Sequence, residues 1–375
     1  MSKANIIADF SILAQLWKKA KKNKAKEIVP GKDPMRLKAY QQAITALCTV
    51  PGDEILSIKV IQKGKPRPNR KGKAEKREVY ITTDKVKNQY ISRSLGKATS
   101  DKIQEYLETG EMKAAQTARK WLQDHLQEEE KNLTPKQRAM KAFLSITGVG
   151  EATAKAWLVK YRRSKSALSP IKWVRANAKQ LKLTHTQSIG VDPKYYTDLK
   201  KRIPRHYIDI IQMIIRLAFT KTFGFNSYTM VVCGSYRRGS MDSGDIDILF
   251  KSKVFNLEQA VQTLIEWGVI VETINIGGGK FSGICHCPSG QWHYFHLDLF
   301  YSTEKEWGAQ LLAWTGGAGF VRNMRQAANK KGYTLNQYGL FRSLADARAR
   351  RNPVAINEKD ILKKIDYPYV PPVCR

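Results

Sequence analysis

The first 130 residues of the chain follow a mainly helical pattern of apolar and polar positions. Apolar side chains recur every three or four residues across 6–16 and across 37–47, which is the spacing of one face of a helix. Helical patterning returns across 97–127. Between these stretches, the runs 58–62 and 78–82 alternate or are rich in β-forming residues, so they predict a pair of strands.

The segment between these two strands is strongly basic. Residues 63–77 contain eight Lys and Arg residues against the single acid Glu75, and no apolar side chain larger than Ala or Pro. We interpret this segment as the long loop of a β-hairpin. It could serve as a nuclear-import signal or as an arm that grasps DNA, and the alternative is a solvated loop without a role.

The pattern changes twice further along the chain. A polar break at 131–137 predicts a domain boundary, and 138–200 is again helical. A helix at 205–222 then leads into β-rich segments, which predict a mixed sheet with flanking helices. These segments are 228–235, 245–250, 269–276, 281–287 and 294–301. A smaller region with helices and strands follows.

The net charge says more about the binding partner than the rest of the composition does. The 375 residues include 65 Lys and Arg against 33 Asp and Glu, a formal net charge of +32. A polyanionic partner is favoured, because each phosphate neutralised by Lys or Arg releases a counterion. The excess is densest in residues 1–100, at +15, so we expect general phosphate contacts there. The alternative is a solvated basic surface without a specific partner.

The composition also excludes several classes of protein. Hydrophobic residues make up 42% of the chain, which argues against wholesale disorder. No run of about eighteen apolar residues predicts a membrane span, and the N-terminus lacks the apolar segment of a signal peptide. The five cysteines are scattered and fit a reducing compartment. We therefore expect an intracellular protein.

The strongest chemical signal is a pair of carboxylates in 233–249, where a β-run leads into a Gly-Ser turn and then into Asp245-Ile246-Asp247. Residues i and i+2 of a strand face the same side, so Asp245 and Asp247 are predicted to project together. Two bare carboxylates there would repel each other. A hard divalent cation such as Mg²⁺ would relieve that repulsion.

The residues around this pair suit phosphate chemistry. Gly234 offers a backbone N–H, Ser235 a hydroxyl and Arg238 a positive charge. A third carboxylate, Asp298, lies in a second apolar run, where it would complete a two-metal site. An isolated Asp-x-Asp could equally make turn contacts at a strand end, but the full spacing favours nucleotidyl transfer.

Two further features are weaker signals. Gly148 and Gly150 precede a helix that begins near Glu151, where backbone N–H groups could hold a DNA phosphate as in a helix-hairpin-helix. A plain corner between two helices is the alternative. Lys102 could form a Schiff base with an aldehyde if its surroundings favour the neutral amine, and a surface role is the alternative.

A cysteine- and histidine-rich stretch invites a zinc interpretation. Cys285, His286 and Cys287 are followed by His293 and His296, but these spacings match no standard zinc site. The first three would also point to alternating faces of a strand. We therefore do not expect zinc here.

Together these stretches resemble the family X DNA polymerases of the polymerase-beta type. In the second half, the likeness is carried by KRIPR, GSYRRGSMDSGDIDIL, HLDLF, LLAWTGGAGFVRNMR and NEKDIL, which begin at residues 201, 234, 296, 311 and 357. In the first half, it is carried by RLKAYQQAI, LGKATSDKIQEYLETG and ITGVGEATAKAW, which begin at residues 36, 95 and 146. The resemblance covers nearly the whole chain and is most specific in 200–375.

The resemblance implies a multi-domain α and β protein. Helical lyase-like and helix-hairpin-helix domains would precede a nucleotidyltransferase palm with a mixed or antiparallel β-sheet and a small α+β C-terminal subdomain. The implied boundaries are 1–130 for the 5′-phosphate-binding lyase-like domain, with a basic hairpin insertion at about 57–90, then 131–201 for the helix-hairpin-helix domain, 202–302 for the palm and 303–375 for the nucleotide-binding subdomain.

The resemblance also implies roles for individual residues. Two Mg²⁺ ions, with Mn²⁺ as a substitute, would be held by Asp245, Asp247 and Asp298, the last nearest the primer 3′-hydroxyl. The triphosphate would be bound by Gly234, Ser235, Arg238, Gly244 and Arg202, and the sugar and base by Trp314, Thr315 and Gly316. DNA would be contacted by Gly148, Gly150 and Arg325, and its 5′ phosphate by Arg36 and Tyr40. Lys102 aligns with the lysine that attacks the abasic-site aldehyde in lyase-competent members.

Three features depart from the family pattern. Ala313-Trp314 replaces a frequent Tyr-Phe, which resembles template-independent and end-joining members and implies weaker exclusion of ribonucleotides. Val321 replaces an Asn that reaches the minor-groove edge of the base, which implies lower fidelity. His296 replaces an Arg two residues before Asp298, which implies a different orientation of that aspartate.

The resulting hypothesis is a monomeric DNA-directed DNA polymerase that fills short gaps in base-excision repair. Its partners would be gapped or nicked DNA and dNTPs, with no membrane, and a deoxyribose phosphate lyase would depend on Lys102. We expect it in the nucleus or another site of DNA repair, or in a viral replication compartment if the source is viral. The alternatives are a template-independent terminal or end-joining transferase, more remotely an RNA-tailing enzyme, and a non-catalytic DNA-binding repair scaffold.

Overall fold

The computed structural model describes most of the chain after residue 96 and shorter stretches before it. The described residues are 3–22, 39–40, 43–44, 47, 58–63, 78–83, 97–287 and 293–375. The chain divides into two compact units. The first comprises 1–128, 238–241 and 370–375, and the second comprises 129–237 and 242–369.

The first unit has a helical core. Its helices are Lys3–Lys22, Lys97–Thr109, most of Lys113–Lys131 and a 3-10 helix at Pro372–Cys374. Ile6, Phe10, Tyr40, Ile103 and Met112 are buried together in one apolar cluster. The helices predicted at 6–16 and 97–127 are confirmed, because their regularly spaced apolar residues supply much of this core.

The strands predicted for the basic hairpin are also present. β1 (Ile58–Lys63) and β2 (Glu78–Thr83) pair antiparallel, with Ile58 opposite Thr83 and Lys63 opposite Glu78. The basic loop from 64 to 77 lies outside the described residues. The hairpin itself is therefore confirmed, and the role of its loop stays a prediction.

The second unit begins with short helices packed around aromatic residues. These are Pro135–Leu144, Glu151–Arg163, Pro170–Ala176, Ala178–Leu181, His185–Val191, Pro193–Tyr196 and the 3-10 helix Asp198–Lys200. Phe143 is fully buried among them, with its ring centroid 6.0 Å from that of Trp157 and 6.2 Å from that of Trp173. The turn predicted from Gly148 and Gly150 joins the first two helices.

A five-stranded mixed sheet forms the centre of the second unit. Strands β3 to β9 are Ile203–Pro204, Tyr228–Val232, Asp242–Ser243, Ile246–Ser252, Ile270–Gly277, Lys280–Cys285 and Phe295–Tyr301. β3 and β5 form a separate ribbon. The others lie in the order β4-β6-β9-β8-β7, with β6 and β9 parallel and the other neighbours antiparallel. The predicted mixed sheet is confirmed.

The two faces of this sheet are covered differently. Alternate residues of β6 are buried in a large core that includes the helices Arg205–Phe223 and Leu257–Glu266. The residues between them face the opposite side, where Leu249 of β6 and Phe300 of β9 pack against helix Trp307–Thr315. Period-two alternation in the strands therefore gives the sheet one face that is apolar and buried in the large core, and a second face that carries both apolar and polar residues.

The C-terminal region adds four helices and a small hairpin. The helices are Trp307–Thr315, Ala318–Lys330, Leu344–Ala349 and Glu358–Lys364, and the hairpin pairs β10 (Thr334–Asn336) with β11 (Gly339–Phe341). Gly308 lets the first helix lie on a neighbouring stretch of backbone, since a Cβ there would lie 2.4 Å from the carbonyl oxygen of Ile356. Across the described residues, no helix has the length and apolar character needed to cross a membrane.

Candidate active site

The three predicted carboxylates lie on or next to two neighbouring strands, β6 and β9. Asp247 is the second residue of β6 and stands opposite Asp298 of β9 in the parallel register. Asp245 is exposed and lies on a bend one residue before β6. The prediction that Asp245 and Asp247 share one strand face is wrong in that form, because the strand begins at Ile246. The register instead brings Asp247 and Asp298 side by side.

The Gly-Ser turn is built around Asp247. The backbone N–H of Cys233 donates to the carbonyl oxygen of Asp247 at 2.7 Å. Gly234 begins the short helix Gly234–Arg237 and has a φ of +54°. A Cβ at this position would lie 2.2 Å from Oδ2 of Asp247. Glycine is therefore needed at 234 both for the backbone conformation and for the space that the carboxylate occupies.

The carboxylate of Asp298 has a cation beside it. Lys280, the first residue of β8, lies diagonally across from Asp298 in the antiparallel register, and its Nζ donates to Oδ2 at 2.7 Å. The side chains of Asp298 and Lys280 are 21% and 40% exposed. The sequence does not identify Lys280, because the contact depends on strand register and on no local pattern.

His296 lies on the same side of β9 as Asp298. Its Nε2 is 3.1 Å from Oγ1 of Thr147, and the direction of this hydrogen bond depends on the tautomer of the ring. Burial lowers the pKa of His296 below its ordinary value, although the charges of Asp298 and Asp245 oppose that change. Burial thus favours the neutral ring, unlike the permanently charged arginine that the resemblance leads one to expect here.

The donor chemistry of these residues fits a hard divalent cation. Carboxylate oxygens on adjacent strands are ligands that Mg²⁺ prefers. In the part of the chain that the structure describes, however, no three His, Cys, Asp or Glu side chains are gathered as a ready metal-binding cluster. Lys280 occupies one carboxylate oxygen of Asp298, so a cation bound there would have to share that carboxylate with the ammonium group.

The cysteine- and histidine-rich stretch runs into the core. Cys285 is fully buried at the end of β8, and Cys287 is also buried. Burial raises the pKa of the Cys285 thiol well above its ordinary value, and the charge of Asp298 adds to the effect. A thiol kept protonated in this way is a poor metal ligand.

Several residues predicted to bind a triphosphate lie around the ribbon of β3 and β5. Oγ of Ser235 donates to Oγ of Ser243 at 2.7 Å. Arg202 binds Asp242, with 2.8 Å between Nη2 and Oδ1. A Cβ on Gly244 would lie 3.2 Å from Nη1 of Arg202. The ribbon therefore brings Ser235, Gly244 and Arg202 into one neighbourhood.

Arg237 ties the Gly-Ser turn to the C-terminal helices. Its Nη1 donates to Oγ1 of the fully buried Thr315 at 2.5 Å, and its Nη2 donates to Oε2 of Glu358 at 2.7 Å. In the same core, burial raises the pKa of the Cys233 thiol to about 12. The sequence drew attention to Arg238 and missed Arg237, whose partners lie 78 and 121 residues away along the chain.

The other residues predicted to contact the nucleotide and the template lie close to Thr315 in the chain or on the helix that follows it. The ring of Trp314 stacks on Phe300, with 4.0 Å between centroids and 15° between planes, and its Nε1 donates to Oε1 of Gln310 at 3.3 Å. Gly316 ends the helix with a φ of +62°. Arg325 is exposed on the next helix. One face of the Trp314 ring is therefore used for packing on the sheet.

The predicted helix-hairpin-helix turn, residues 147–150, uses its two glycines differently. Gly148 has a φ of +77°, and a Cβ there would lie 2.8 Å from Cγ2 of Thr186. Gly150 is the N-cap of helix Glu151–Arg163, with an ordinary φ of −86°. Among the described residues, no heavy atom lies within 4 Å of the place where its Cβ would be. The turn is thus closed at Gly148 and open at Gly150.

The first unit contains the remaining predicted residues. Lys102 is half-buried on helix Lys97–Thr109. Arg238 is half-buried in the short segment 238–241, which belongs to the same unit. Tyr40 is 7% exposed, with its ring centroid 5.8 Å from that of Phe10. Arg36 lies outside the described residues. A 5′-phosphate pocket therefore stays a prediction.

Comparison with known proteins relates this arrangement to a family. The DNA polymerase beta palm matches residues 202–304, and the DNA polymerase beta thumb matches 310–375. DNA polymerase lambda of Rattus norvegicus is 27% identical over 303 residues, which cover 75% of this chain and 47% of the rat protein. DNA polymerase lambda of Arabidopsis thaliana is 29% identical over 301 residues, which cover 74% of this chain and 51% of the plant protein. This chain spans about half the length of these two relatives.

Two solved structures of Leishmania infantum polymerase beta share the fold. A ternary gap complex matches 65% of this chain and 91% of its own, with a TM-score of 0.55 and 24% identity. A ternary P/T complex matches 64% of this chain and 98% of its own, with a TM-score of 0.54 and 24% identity. The predicted fold class is confirmed. Residues 202–304 and 310–375 therefore match the palm and the thumb of DNA polymerase beta, and the chain as a whole is similar to the family X DNA polymerases.

Proposed function

We propose that this chain is a DNA-directed DNA polymerase that fills short gaps during base-excision repair. The observation that carries the proposal is the side-by-side placement of Asp247 and Asp298, beside the turn at Gly234. A gapped substrate is supported by the ternary gap complex of the Leishmania infantum protein, whose fold this chain shares.

Similarity to the family X DNA polymerases implies a requirement for a divalent metal ion. We assign two Mg²⁺ ions, replaceable by Mn²⁺, to the carboxylates of Asp245, Asp247 and Asp298, whose oxygen donors suit such ions. Bound there, the ions would favour loss of the proton from the primer 3′-hydroxyl and neutralise charge on the triphosphate. Asp298 would lie nearest the 3′-hydroxyl.

The residues of this chain would hold the reactants in line. The 3′-oxygen of the primer attacks the α-phosphorus of the dNTP, the bond from that phosphorus to its bridging oxygen breaks, and pyrophosphate leaves. The Ser235 hydroxyl and the Gly234 N–H would bind the triphosphate, and Arg202 and Arg238 would supply positive charge. Orientation by these groups accounts for much of the rate that the chain itself contributes.

DNA would be held through its backbone. The first N–H groups of helix Glu151–Arg163 have no acceptor within the helix, so the open side of the turn at 147–150 suits a phosphate. Residues 1–100, with a net charge of +15, suit contacts that hold DNA without reading its sequence.

A 5′-deoxyribose phosphate lyase is the second activity that we propose, with Lys102 as the nucleophile. Its amine would attack the C1′ aldehyde, and the adduct would lose water to form a Schiff base. Loss of a C2′ proton and cleavage of the C3′–O bond would then free the 5′-phosphate end of the DNA, and hydrolysis of the Schiff base would release the sugar phosphate and restore the amine. We expect Lys102→Ala to lose borohydride trapping on abasic DNA while gap filling continues. Undiminished trapping would assign the reaction to another amine.

Primer extension on gapped, nicked and single-stranded DNA tests the main proposal. With deoxy- and ribonucleotides offered separately in Mg²⁺ and in Mn²⁺, we expect the fastest extension on gapped DNA with dNTPs. Efficient extension of a single strand without a template would instead support a terminal transferase, which Ala313-Trp314 favours. DNA binding without extension on any substrate would support a repair scaffold.

A further inference from the structure

One face of β9 connects the turn at 147–150 to the predicted catalytic carboxylate. Nε2 of His296 lies 3.1 Å from Oγ1 of Thr147, the first residue of that turn. Two residues further along the same face, Asp298 stands opposite Asp247 and accepts a hydrogen bond from Lys280. A movement of the turn would therefore be passed to His296 by this hydrogen bond, and from His296 to Asp298, which is two residues further along the strand.

Thr147 is held firmly at its own end of this link. A Cβ on Gly190 would lie 2.8 Å from the backbone nitrogen of Thr147, so helix His185–Val191 packs directly against the turn. Nε2 of Gln187, on the same helix, donates to the carbonyl oxygen of Gly148 at 3.1 Å. The buried amide of Gln187 thus fixes the backbone of the turn.

The helices next to the turn also form hydrogen bonds with β7, the strand at one edge of the sheet. Nε2 of His185 lies 3.1 Å from the carbonyl oxygen of Thr273 in β7. The hydroxyl of Tyr195 donates to Oε1 of Glu272, also in β7, at 2.9 Å. Because the anchors reach β7 and β9 separately, the turn has a fixed position relative to the strands that carry the aspartates.

We propose that Thr147 and His296 are positioning residues that fix the span between a DNA phosphate held at the first N–H groups of helix Glu151–Arg163 and the carboxylate of Asp298. This inference rests on the proposed polymerase function. Neither residue touches the reacting atoms, so DNA would still bind without their hydrogen bond. The primer terminus would be less well placed, and a displacement of about 1 Å can cost roughly 10²-fold in rate.

Two substitutions at residue 147 separate this role from simple packing. Thr147→Val removes the hydroxyl at nearly constant volume, whereas Thr147→Ser keeps the hydroxyl and serves as the matched control. We expect Thr147→Val to slow single-turnover insertion into a one-nucleotide gap by about tenfold, within the loss that misplacement allows. Its Kd for gapped DNA should stay within about twofold of wild type, because the phosphate contacts are unchanged. Thr147→Ser should restore the rate.

Hydrogen exchange provides a measurement that does not depend on activity. Gapped DNA should slow amide exchange in residues 295–301 of the wild type and of Thr147→Ser, and it should not do so in Thr147→Val. His296→Leu removes the same hydrogen bond by changing its partner on β9, so it should show the same loss of rate and of protection as Thr147→Val. If Thr147→Val does not fold, His296→Leu provides the test. The double variant should be no slower than the slower single variant.

Wild-type insertion rates together with wild-type exchange in Thr147→Val and His296→Leu would overturn the inference. Additive losses in the double variant would overturn it too, since they would mean that the two side chains act separately. A wild-type protein that binds gapped DNA without inserting nucleotides would instead overturn the proposed function, so the two failures are distinguishable.

Discussion

Each of the paired aspartates depends on one neighbouring residue. The carboxylate of Asp247 occupies space that any side chain at position 234 would take. The carboxylate of Asp298 accepts a hydrogen bond from the ammonium group of Lys280. Space determines the first arrangement and charge determines the second, so each can be tested by a substitution with a matched control.

We expect Gly234→Ala to abolish most polymerase activity. Its methyl group would overlap Oδ2 of Asp247 at 2.2 Å, so the carboxylate must leave its present position. Gly268→Ala is the matched control, because Gly268 also has a positive φ, +69°, and no described heavy atom lies within 4 Å of its Cβ position. Both variants should lose about 1–2 kcal/mol of unfolding free energy through backbone strain.

Insertion rates on gapped DNA and chemical denaturation distinguish these two effects. Gly268→Ala should keep its insertion rate despite the same loss of stability. Equal activity in the two variants would show that the close approach of residue 234 to Asp247 does not matter for the reaction.

We expect Lys280→Met to bind divalent ions more tightly than the wild type when DNA and nucleotide are absent. The ammonium group occupies one carboxylate oxygen of Asp298 and repels a second cation. Because the pair is partly exposed, the gain should be modest, up to about 1 kcal/mol or roughly fivefold in Kd. Titration of Mn²⁺ followed by electron paramagnetic resonance measures it.

Lys251→Met is the control for that experiment. Lys251 forms a similar ion pair with Glu304, 2.6 Å between Nζ and Oε2, near the other ends of β6 and β9. Lys251→Met should leave the Kd for Mn²⁺ unchanged. If Lys280→Met binds Mn²⁺ as the wild type does, then Lys280 does not compete for the carboxylate of Asp298.

Among the elements, the turn at 147–150 allows folding and DNA binding to be separated. Gly148→Ala should destabilise the fold by about 1–3 kcal/mol, because of its φ of +77° and the nearby Thr186 side chain. Gly150→Ala should cost less than about 1 kcal/mol, which reflects the poor N-cap preference of alanine. Its methyl group would nevertheless enter the open space where we place a DNA phosphate.

The measurements are the melting temperature and the Kd for gapped DNA. Gly150→Ala should raise the Kd severalfold with little change in melting temperature, and Gly148→Ala should show mainly the thermal effect. An unchanged Kd in Gly150→Ala would mean that DNA does not approach this side of the turn.

The elements that the sequence predicts are those with local patterns. Period-two alternation predicts the palm strands, and spaced glycines before a helix predict the turn at 147–150. Alternation also placed Asp245 on a strand, but β6 begins at Ile246, because strand ends depend on pairing with neighbours. The family resemblance added the fold class, which no single pattern could supply.

Contacts between distant residues could not be predicted in the same way. Lys280 reaches Asp298 through the register of β8 and β9, and Thr147 reaches His296 across 149 residues of chain. Arg237 lies beside the arginine that the sequence singled out and has partners in two C-terminal helices. Register and packing between elements decide such contacts, and neither leaves a local signature.

At the scale of the whole molecule, positive and negative charges have different functions. The net charge of +32 favours any nucleic acid and is densest in the first 100 residues. In the proposed function, the aspartates at 245, 247 and 298 would add the chemistry, since they suit metal-assisted transfer to a 3′-hydroxyl. DNA binding and nucleotide insertion should therefore respond to different substitutions.

Insertion of one nucleotide into gapped DNA by Asp298→Ala, with DNA binding measured on the same preparation, is the most direct test. Loss of the carboxylate opposite Asp247 should abolish insertion in Mg²⁺. The Kd for gapped DNA should stay within about threefold of wild type, because binding is spread over many basic residues. Insertion by Asp298→Ala at the wild-type rate would contradict the assignment of the polymerase active site to β6 and β9.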